Sequence, residues 1–232
     1  SDQQLLQAEQ LFAELGQVKE QMTTISLLAM NDFRRGRIAE AANRFLKAQH
    51  LLSNLNSIVT EYIDSQQVLA VCWFHLAEYQ KALACIQDAL EKSVATPVSF
   101  VGVIHSTQAS ISAELGDFKQ ARKELQIALE WPDYGAYHKL LVLLNQLRVN
   151  QKEEQDNPVV LAEVESKIVS YGSLFTRCSF LNLKAAMTTG EERLSLAKEA
   201  LELAERYQLG GLLIAAHVRC AQALCDLEQL QG

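Results

Sequence analysis

Apolar residues recur along the chain at the spacing of an α-helix. In four windows, an alanine is followed four residues later by a bulky apolar residue and three residues after that by a second alanine. Positions three and four apart share one face of a helix, so each window predicts an amphipathic helix. We expect the packing contacts of these helices at Ala41, Phe45, Ala48, Ala82, Ile86, Ala89, Ala121, Leu125, Ala128, Ala197, Leu201 and Ala204.

The windows recur with a nearly constant period. Their first alanines lie 41, 39 and 76 residues apart, and the last interval is two units of 38. A poorer copy at Ala162, Ser166 and Val169 is predicted to fill the gap. A further apolar helix precedes each good window, so the repeated unit is a helical hairpin. One hairpin cannot bury its apolar face alone, whereas a stack of hairpins builds a continuous core.

This pattern predicts an all-α fold, a right-handed α-α superhelix (solenoid) of about five to six helical-hairpin repeats. Residues 1–232 form a single domain in this interpretation, with about a dozen helices and no clear strand. An ordinary helical bundle with coincidental alanine spacing is the alternative. Four helix starts are predicted from cap chemistry, namely capping boxes at Asp117 with Gln120 and at Thr189 with Glu192, and cap residues before proline at Thr96-Pro97 and Asn157-Pro158.

Three segments resemble the second helices of tetratricopeptide repeats: 36–52, 76–92 and 115–130. Gly36 and Gly116 match the glycine that this family places at the turn between its two helices. The units here run nearer 40 residues than the roughly 34 of the family, and the proline that usually closes a unit is missing. This longer variety resembles the repeats of bacterial MalT-like signalling regulators and of subunits in large eukaryotic assemblies.

The resemblance implies a protein-interaction scaffold without catalytic activity. The leading hypothesis is a module of a signalling or transcription regulator that binds a partner protein or peptide through its concave groove or its end faces. One alternative is a structural subunit of a large multi-protein complex, and another is a sensor of a peptide or small ligand. Apolar end faces, including Leu224, Leu227 and Leu230, further suggest a longer protein or self-association of the solenoid ends.

The concave face should be built by the first helix of each hairpin. Residues on those helices that point away from the packing face are small, neutral or able to form hydrogen bonds, which suits an extended peptide or a helix. These groove candidates could instead be solvated, or packed inside a tight superhelix. They are Ser26, Met30, Arg34, Gln67, Val71, His75, Ser106, Ser110, Ser179 and Asn182.

Composition and charge narrow the possible partners. The chain has 232 residues, 21 Lys and Arg against 28 Asp and Glu, and a formal net charge of −7, which argues against direct nucleic-acid binding. The longest uncharged run, residues 93–113, is interrupted by polar residues and by proline, so no membrane span is predicted. Five scattered cysteines suggest a reducing compartment, the cytoplasm or, in a eukaryote, the nucleus.

The sequence contains no recognisable catalytic motif. Gly-rich phosphate loops, nucleophile elbows and metalloprotease motifs are all missing. Cys72 with His75 and His217 with Cys220 have a one-face helical spacing, but neither pair has the second tight pair of a structural zinc site. We therefore predict no enzyme activity, no cofactor and no metal.

Overall fold

The computed structural model describes residues 2–52, 59–132 and 135–229. Over these ranges the chain forms twelve α-helices and no strand. The helices are α1 (Asp2–Glu14), α2 (Val18–Arg34), α3 (Ile38–Leu52), α4 (Val59–His75), α5 (Tyr79–Ala95), α6 (Val101–Glu114), α7 (Phe118–Glu130), α8 (Ala136–Lys152), α9 (Pro158–Tyr171), α10 (Leu174–Met187), α11 (Gly190–Arg206) and α12 (Gly210–Gln229).

The helices pack as a linear series of hairpins. The tightest pairs are α2 with α3, α4 with α5, α6 with α7, α10 with α11, and α11 with α12, and each hairpin also touches the next. Short turns make the paired helices antiparallel neighbours. The fold is thus an all-α helical-repeat solenoid, and the predicted fold class is confirmed. None of the helices in the described ranges is long and apolar enough to cross a lipid bilayer.

Alanine sits at the helix crossings of the regular hairpins. Of the twelve predicted packing residues, eleven are buried, and Leu201 is half-buried against the cluster that contains Ala200 and Ala204. Ala41, Ala82 and Ala121 have no accessible surface at all. A side chain of one carbon lets two helix backbones approach closely, while the bulky residue between the alanines fills the remaining space.

Helix α9 packs in a different register from the predicted one. The copy proposed at Ala162, Ser166 and Val169 is wrong, because all three positions are exposed. The helix packs instead through branched side chains against a leucine-rich α8, so the alanine pattern does not apply to it. Its buried face consists of Val160, Val164 and Ile168.

Two of the four predicted helix starts are confirmed together with a side-chain cap hydrogen bond. The side chain of Asp117 accepts a hydrogen bond from the Gln120 backbone N–H at 3.0 Å, and Asn157 accepts one from Val160 at 3.1 Å. Pro158 occupies the first turn of α9, where no backbone N–H is needed. The Gln120 side chain does not complete a capping box, since it donates to Glu124 instead.

Of the other two predicted starts, one lies at the predicted position without its capping box, and one is wrong. Helix α11 begins at Gly190 with Thr189 as its N-cap residue, as predicted, but the Thr189 side chain makes no cap hydrogen bond within the described ranges. Helix α6 begins at Val101 rather than just after Thr96. The intervening Val98 is buried in the same apolar cluster as Val101, so its burial favours a loop before the helix.

The solenoid closes on itself. The turn between α2 and α3 touches the start of α12, and a Cβ on Gly36 would lie 2.8 Å from the carbonyl carbon of Gly210. Gly36 also has a φ of +79°, so only glycine suits both the turn and this close approach. The rings of Phe33 in α2 and Phe175 in α10 lie 5.6 Å apart. Early and late helices therefore enclose a central space.

Candidate functional site

A central cavity of about 320 Å³ lies inside the closed solenoid, partly open to solvent. Its wall comes from α2, α4, α6, α8 and α10, together with Phe100 and Ser173 just before α6 and α10. No odd-numbered helix contributes a wall residue in the part of the chain that the structure describes. The first helix of each hairpin thus forms the concave side, and closure of the solenoid turns that side into a cavity.

Aromatic and aliphatic side chains dominate the wall. Phe33 packs edge-on against His75 with ring centres 5.3 Å apart, and Phe74 packs against the same imidazole at 5.6 Å. At another part of the wall, Phe100 and His138 lie 6.3 Å apart. Apolar surfaces with a few polar groups are typical of sites that bind small organic molecules.

The helices that line the cavity (α2, α4, α6, α8 and α10) are called the inner helices here. The charged groups of the wall lie at two levels along them. Asp64 and His138 lie in the first halves of α4 and α8, while His75 and Arg148 lie near the ends of the same helices. Ten or eleven residues separate the two levels, or roughly 15 Å at the rise of an α-helix. Arg34 ends α2 at the second level. We call the level of Arg34, His75 and Arg148 the basic end of the cavity.

Arg148 is a half-buried cation, and no carboxylate of the described ranges pairs with it. Its Nη1 donates to Oδ1 of Asn145 at 2.8 Å, and no carboxylate lies within ion-pair distance in the described ranges. Burial lowers the pKa of Arg148, and the distant charge of Glu114 opposes this effect. Glu114 itself binds Lys152 at 2.8 Å. A cation that is partly removed from water is stabilised by a counter-charge, so this arrangement is unusual for a purely structural residue.

Two further titratable groups face the same cavity. Burial, together with the nearby charge of Arg148, lowers the pKa of His75 to about 4, so this imidazole is neutral at pH 7. Burial raises the pKa of Asp64, an effect that His138 opposes and Glu61 reinforces. The basic end therefore offers a guanidinium and a neutral imidazole, and the opposite level offers a carboxyl group.

The structure brings most of the predicted groove residues together. Seven of the ten lie on the cavity wall, and the amide of Gln67 also reaches Thr107 at 3.4 Å. These seven come from four inner helices, so the structure places them around one space rather than along an open groove. They are Met30, Arg34, Gln67, Val71, His75, Ser110 and Ser179.

Three predicted groove residues lie outside the wall. Ser26 is turned towards the sulfur of Met22 at 3.5 Å. Ser106 is fully buried and donates to the Val103 carbonyl. Asn182 is buried and donates to the Cys178 carbonyl at 3.1 Å. Each side chain bonds within its own helix, which turns it away from the cavity.

Sequence reasoning missed the contribution of α8. Helix α8 lies before the poorly matching repeat copy, so no groove residues were assigned to it. One signal was present: Arg148 is the only charged residue between Leu140 and Val149, in a segment that is otherwise mostly leucine and valine. A lone cation in so apolar a helix indicates either a buried partner or a ligand.

The other cavity and the cysteines of the described ranges bring fewer reactive or ligand-binding groups together. A second cavity of about 340 Å³ lies between α7 and α8, where Oε1 of Gln146 and Nδ2 of Asn150 are buried without partners in the described ranges. Among the described residues, no three His, Cys, Asp or Glu side chains come together as a metal site would require. Burial raises the pKa of the Cys72 thiol to about 12 and that of Cys85 to about 11, so both stay protonated at pH 7.

The sequence comparisons add no relative. No protein-family model matches the chain, and no curated protein matches it significantly. The function must therefore be argued from the site itself.

Proposed function

We propose that this chain is a non-catalytic recognition domain that takes a small organic ligand, or the end of a short peptide, into its central cavity. The observation that carries the proposal is the cavity itself, which all five inner helices of a closed solenoid enclose. Its volume of about 320 Å³ falls at the lower end of small-molecule sites. A partner helix, about 10 Å across with its side chains, would fit an open groove better.

A regulatory role is the context that best suits such a site. The repeats resemble tetratricopeptide repeats of the MalT-like variety, and this supports a signalling or transcription regulator as the parent protein. Ligand contacts to several inner helices would favour the closed array over any opened form, because a ligand stabilises the state that it binds. The five unpaired cysteines support an intracellular, reducing location, the cytoplasm or the nucleus.

The proposal is tested by filling the cavity. Ser179 lies on the wall in α10, and Ser179→Trp places a large ring there, whereas Ser195→Trp adds the same ring on the exposed side of α11. A panel of organic acids, amines, neutral aromatics and tetrapeptides is screened by ligand-observed NMR. We expect ligands of the wild-type protein to be lost from Ser179→Trp and kept by Ser195→Trp. A panel without ligands, or ligands that Ser179→Trp retains, would contradict the proposal.

A second candidate function is a protein-interaction scaffold or a subunit of a larger assembly. The observation that favours it is apolar exposure on the first and last helices: Leu11 is 52% exposed on α1, and Ile214 is 70% exposed on α12. Leu224 is also exposed, whereas the predicted Leu230 lies outside the described residues. Such surfaces suit a partner protein or a second copy of the chain. Ile214→Glu should weaken such an association in sedimentation experiments and leave cavity ligands bound.

A further inference from the structure

We propose that the cavity selects organic monoanions, small molecules with one carboxylate group on an aromatic body, and that Arg148 binds the carboxylate. This inference rests on the proposed function, because it assumes that the cavity takes a small ligand. It adds the chemical class of that ligand and the residue that recognises it.

Most of the N–H donors of Arg148 have no partner in the described ranges. A guanidinium carries five N–H donors, and the structure gives this one a single partner, Asn145, in the described ranges. The remaining donors belong to a half-buried side chain that lines the cavity. Arginine presents these donors as a planar fork that matches a carboxylate with two parallel hydrogen bonds.

Hydrogen bonds from neighbouring side chains hold the guanidinium of Arg148 in place. Nδ2 of Asn145 donates to the hydroxyl of Ser106 at 3.0 Å, while Oδ1 of Asn145 accepts from Arg148 at 2.8 Å. Ser106 in turn donates to the Val103 carbonyl of α6 at 2.9 Å. This chain of hydrogen bonds fixes Asn145, and through it one edge of the guanidinium, before any ligand arrives. A group held in place in advance loses less entropy on binding.

A second arginine, Arg34, adds positive charge at the basic end of the cavity. Arginines close to Arg34 in sequence have carboxylate partners: Arg35 pairs with Asp2, and Arg44 pairs with Asp32. Arg34 itself lines the cavity and has no such partner in the part of the chain that the structure describes. Two guanidiniums without carboxylate partners therefore face one end of the cavity, which makes it attractive to an anion.

The carboxyl group of Asp64, at the opposite level of the cavity, disfavours a second anionic group on the ligand. Asp64 is the one carboxylate of the cavity wall within the described ranges, and it lies about 15 Å along the helices from the basic end. A second negative group reaching that level would meet the carboxyl group of Asp64, which lies at the same level as His138. Between the levels the wall combines apolar side chains with the polar Gln67 and Thr107. Phe33, Phe74 and Phe175 lie towards the basic end, where they suit an aromatic ring.

The experiment compares three probes that share one body: 3-phenylpropionate, 3-phenylpropanamide and 3-phenylpropylamine. Their affinities for the full chain are measured by ligand-observed NMR titration. We expect the carboxylate to bind about tenfold more tightly than the amide, and the amine to bind most weakly. Inorganic phosphate, an anion without the aromatic body, should bind more weakly than 3-phenylpropionate.

Variants assign the preference to Arg148. Arg148→Met should bring the carboxylate and the amide within about twofold of each other while the amide still binds. Arg177→Met, an exposed arginine of α10 outside the wall, should keep the wild-type ratio. The Tm of Arg148→Met should stay close to that of the wild type, because this half-buried charge has no carboxylate partner to lose in the described ranges. A large fall in Tm with loss of both probes would make Arg148 a structural residue and overturn the inference.

The outcomes separate this inference from the proposed function. Equal binding of amide and carboxylate, abolished for both by Ser179→Trp, would overturn the monoanion inference and leave the cavity as a binding site. Failure of these probes and of the wider panel would remove both proposals. A tetrapeptide with a free terminal carboxylate that binds far more tightly than 3-phenylpropionate, and loses this advantage on amidation, would replace the small molecule with a peptide end.

Discussion

The hairpin of α6 and α7 and the hairpin of α8 and α9 are packed by opposite kinds of side chain. The first is joined through small residues, with Ala109, Ala113 and Ala121 buried at its crossing. The second is joined through large ones, with Leu140 and Leu147 of α8 fully buried in a cluster of leucine, valine and isoleucine. Small residues bring helix axes together, and large branched residues hold them apart.

The packing between these two hairpins leaves a cavity. The cavity of about 340 Å³ between α7 and α8 lies at their boundary. Beside it lie one amide atom of Gln146 and one of Asn150 that find no partner among the described residues. The irregular hairpin also supplies Asn145 and Arg148 to the central cavity. Regular alanine spacing thus marks the packed hairpins, whereas the hairpin of α8 and α9, which departs from that spacing, adds Arg148 to the charged groups of the cavity.

The largest expected effect is loss of a leucine from the irregular hairpin. Leu147→Ala removes a fully buried side chain from α8, and it should lower the free energy of unfolding by about 2–5 kcal/mol. Leu115→Ala, at a side chain that is 47% exposed after α6, is the control and should cost well under half as much. Chemical denaturation measures both. Similar costs would show that the large-residue cluster does not stabilise this hairpin.

The reverse substitution tests the regular hairpin. Ala121→Leu inserts a large side chain where alanine has no accessible surface, and it should cost roughly 1–3 kcal/mol through overpacking. Ala162→Leu on the exposed face of α9 adds the same atoms without a clash and should change stability by less than about 0.5 kcal/mol. If Ala121→Leu proved neutral by denaturation, close helix approach at this crossing would not depend on alanine.

Much of the fold could be predicted from the sequence, because the residues that pack at the helix crossings recur at nearly constant intervals along the chain. The alanine spacing placed the regular second helices and their buried faces, and the turn glycines at Gly36 and Gly116 marked the ends of their partners. The cap at Asn157 could be predicted because its hydrogen bond joins residues three apart in sequence. Such local interactions are encoded where they occur.

The enclosed cavity could not be predicted in the same way. It depends on contact between Gly36 and Gly210, which are far apart in sequence, and on the curvature that many helix crossings produce together. In place of the predicted groove, the structure therefore has a cavity that is partly open to solvent. Arg148 was missed for a related reason, because its lack of a carboxylate partner is a property of the folded chain.

A pair of glycines tests whether closure matters to stability. Gly36 and Gly116 both have a φ of +79°, so either alanine substitution should cost about 1–2 kcal/mol through backbone strain. A Cβ at Gly36 would also meet the backbone of Gly210, whereas a Cβ at Gly116 would meet nothing within 4 Å. We expect Gly36→Ala to cost about 1 kcal/mol more than Gly116→Ala in thermal unfolding. Equal costs would mean that the contact between the ends contributes no stability.

The smallest expected effect is a pH dependence that separates the two levels of the cavity. The folded pKa of His75 is about 4, below its usual 6.5, so the unfolded chain takes up this proton first as the pH falls. Stability linked to neutral His75 is thus complete above about pH 6.5 and is lost between pH 6.5 and pH 4. Asp64 acts in the opposite direction, because burial raises its pKa in the folded chain.

Substitution isolates the contribution of His75 from those of Asp64, His138, Arg34 and Arg148, which line the same cavity. His75→Phe leaves these four groups in place and should lose less stability than the wild type between pH 6.5 and pH 4.5. His217→Phe on the exposed surface of α12 should follow the wild-type curve. Parallel Tm curves for wild type and His75→Phe would contradict a neutral imidazole beside Arg148, and with it the electrostatic difference between the two levels.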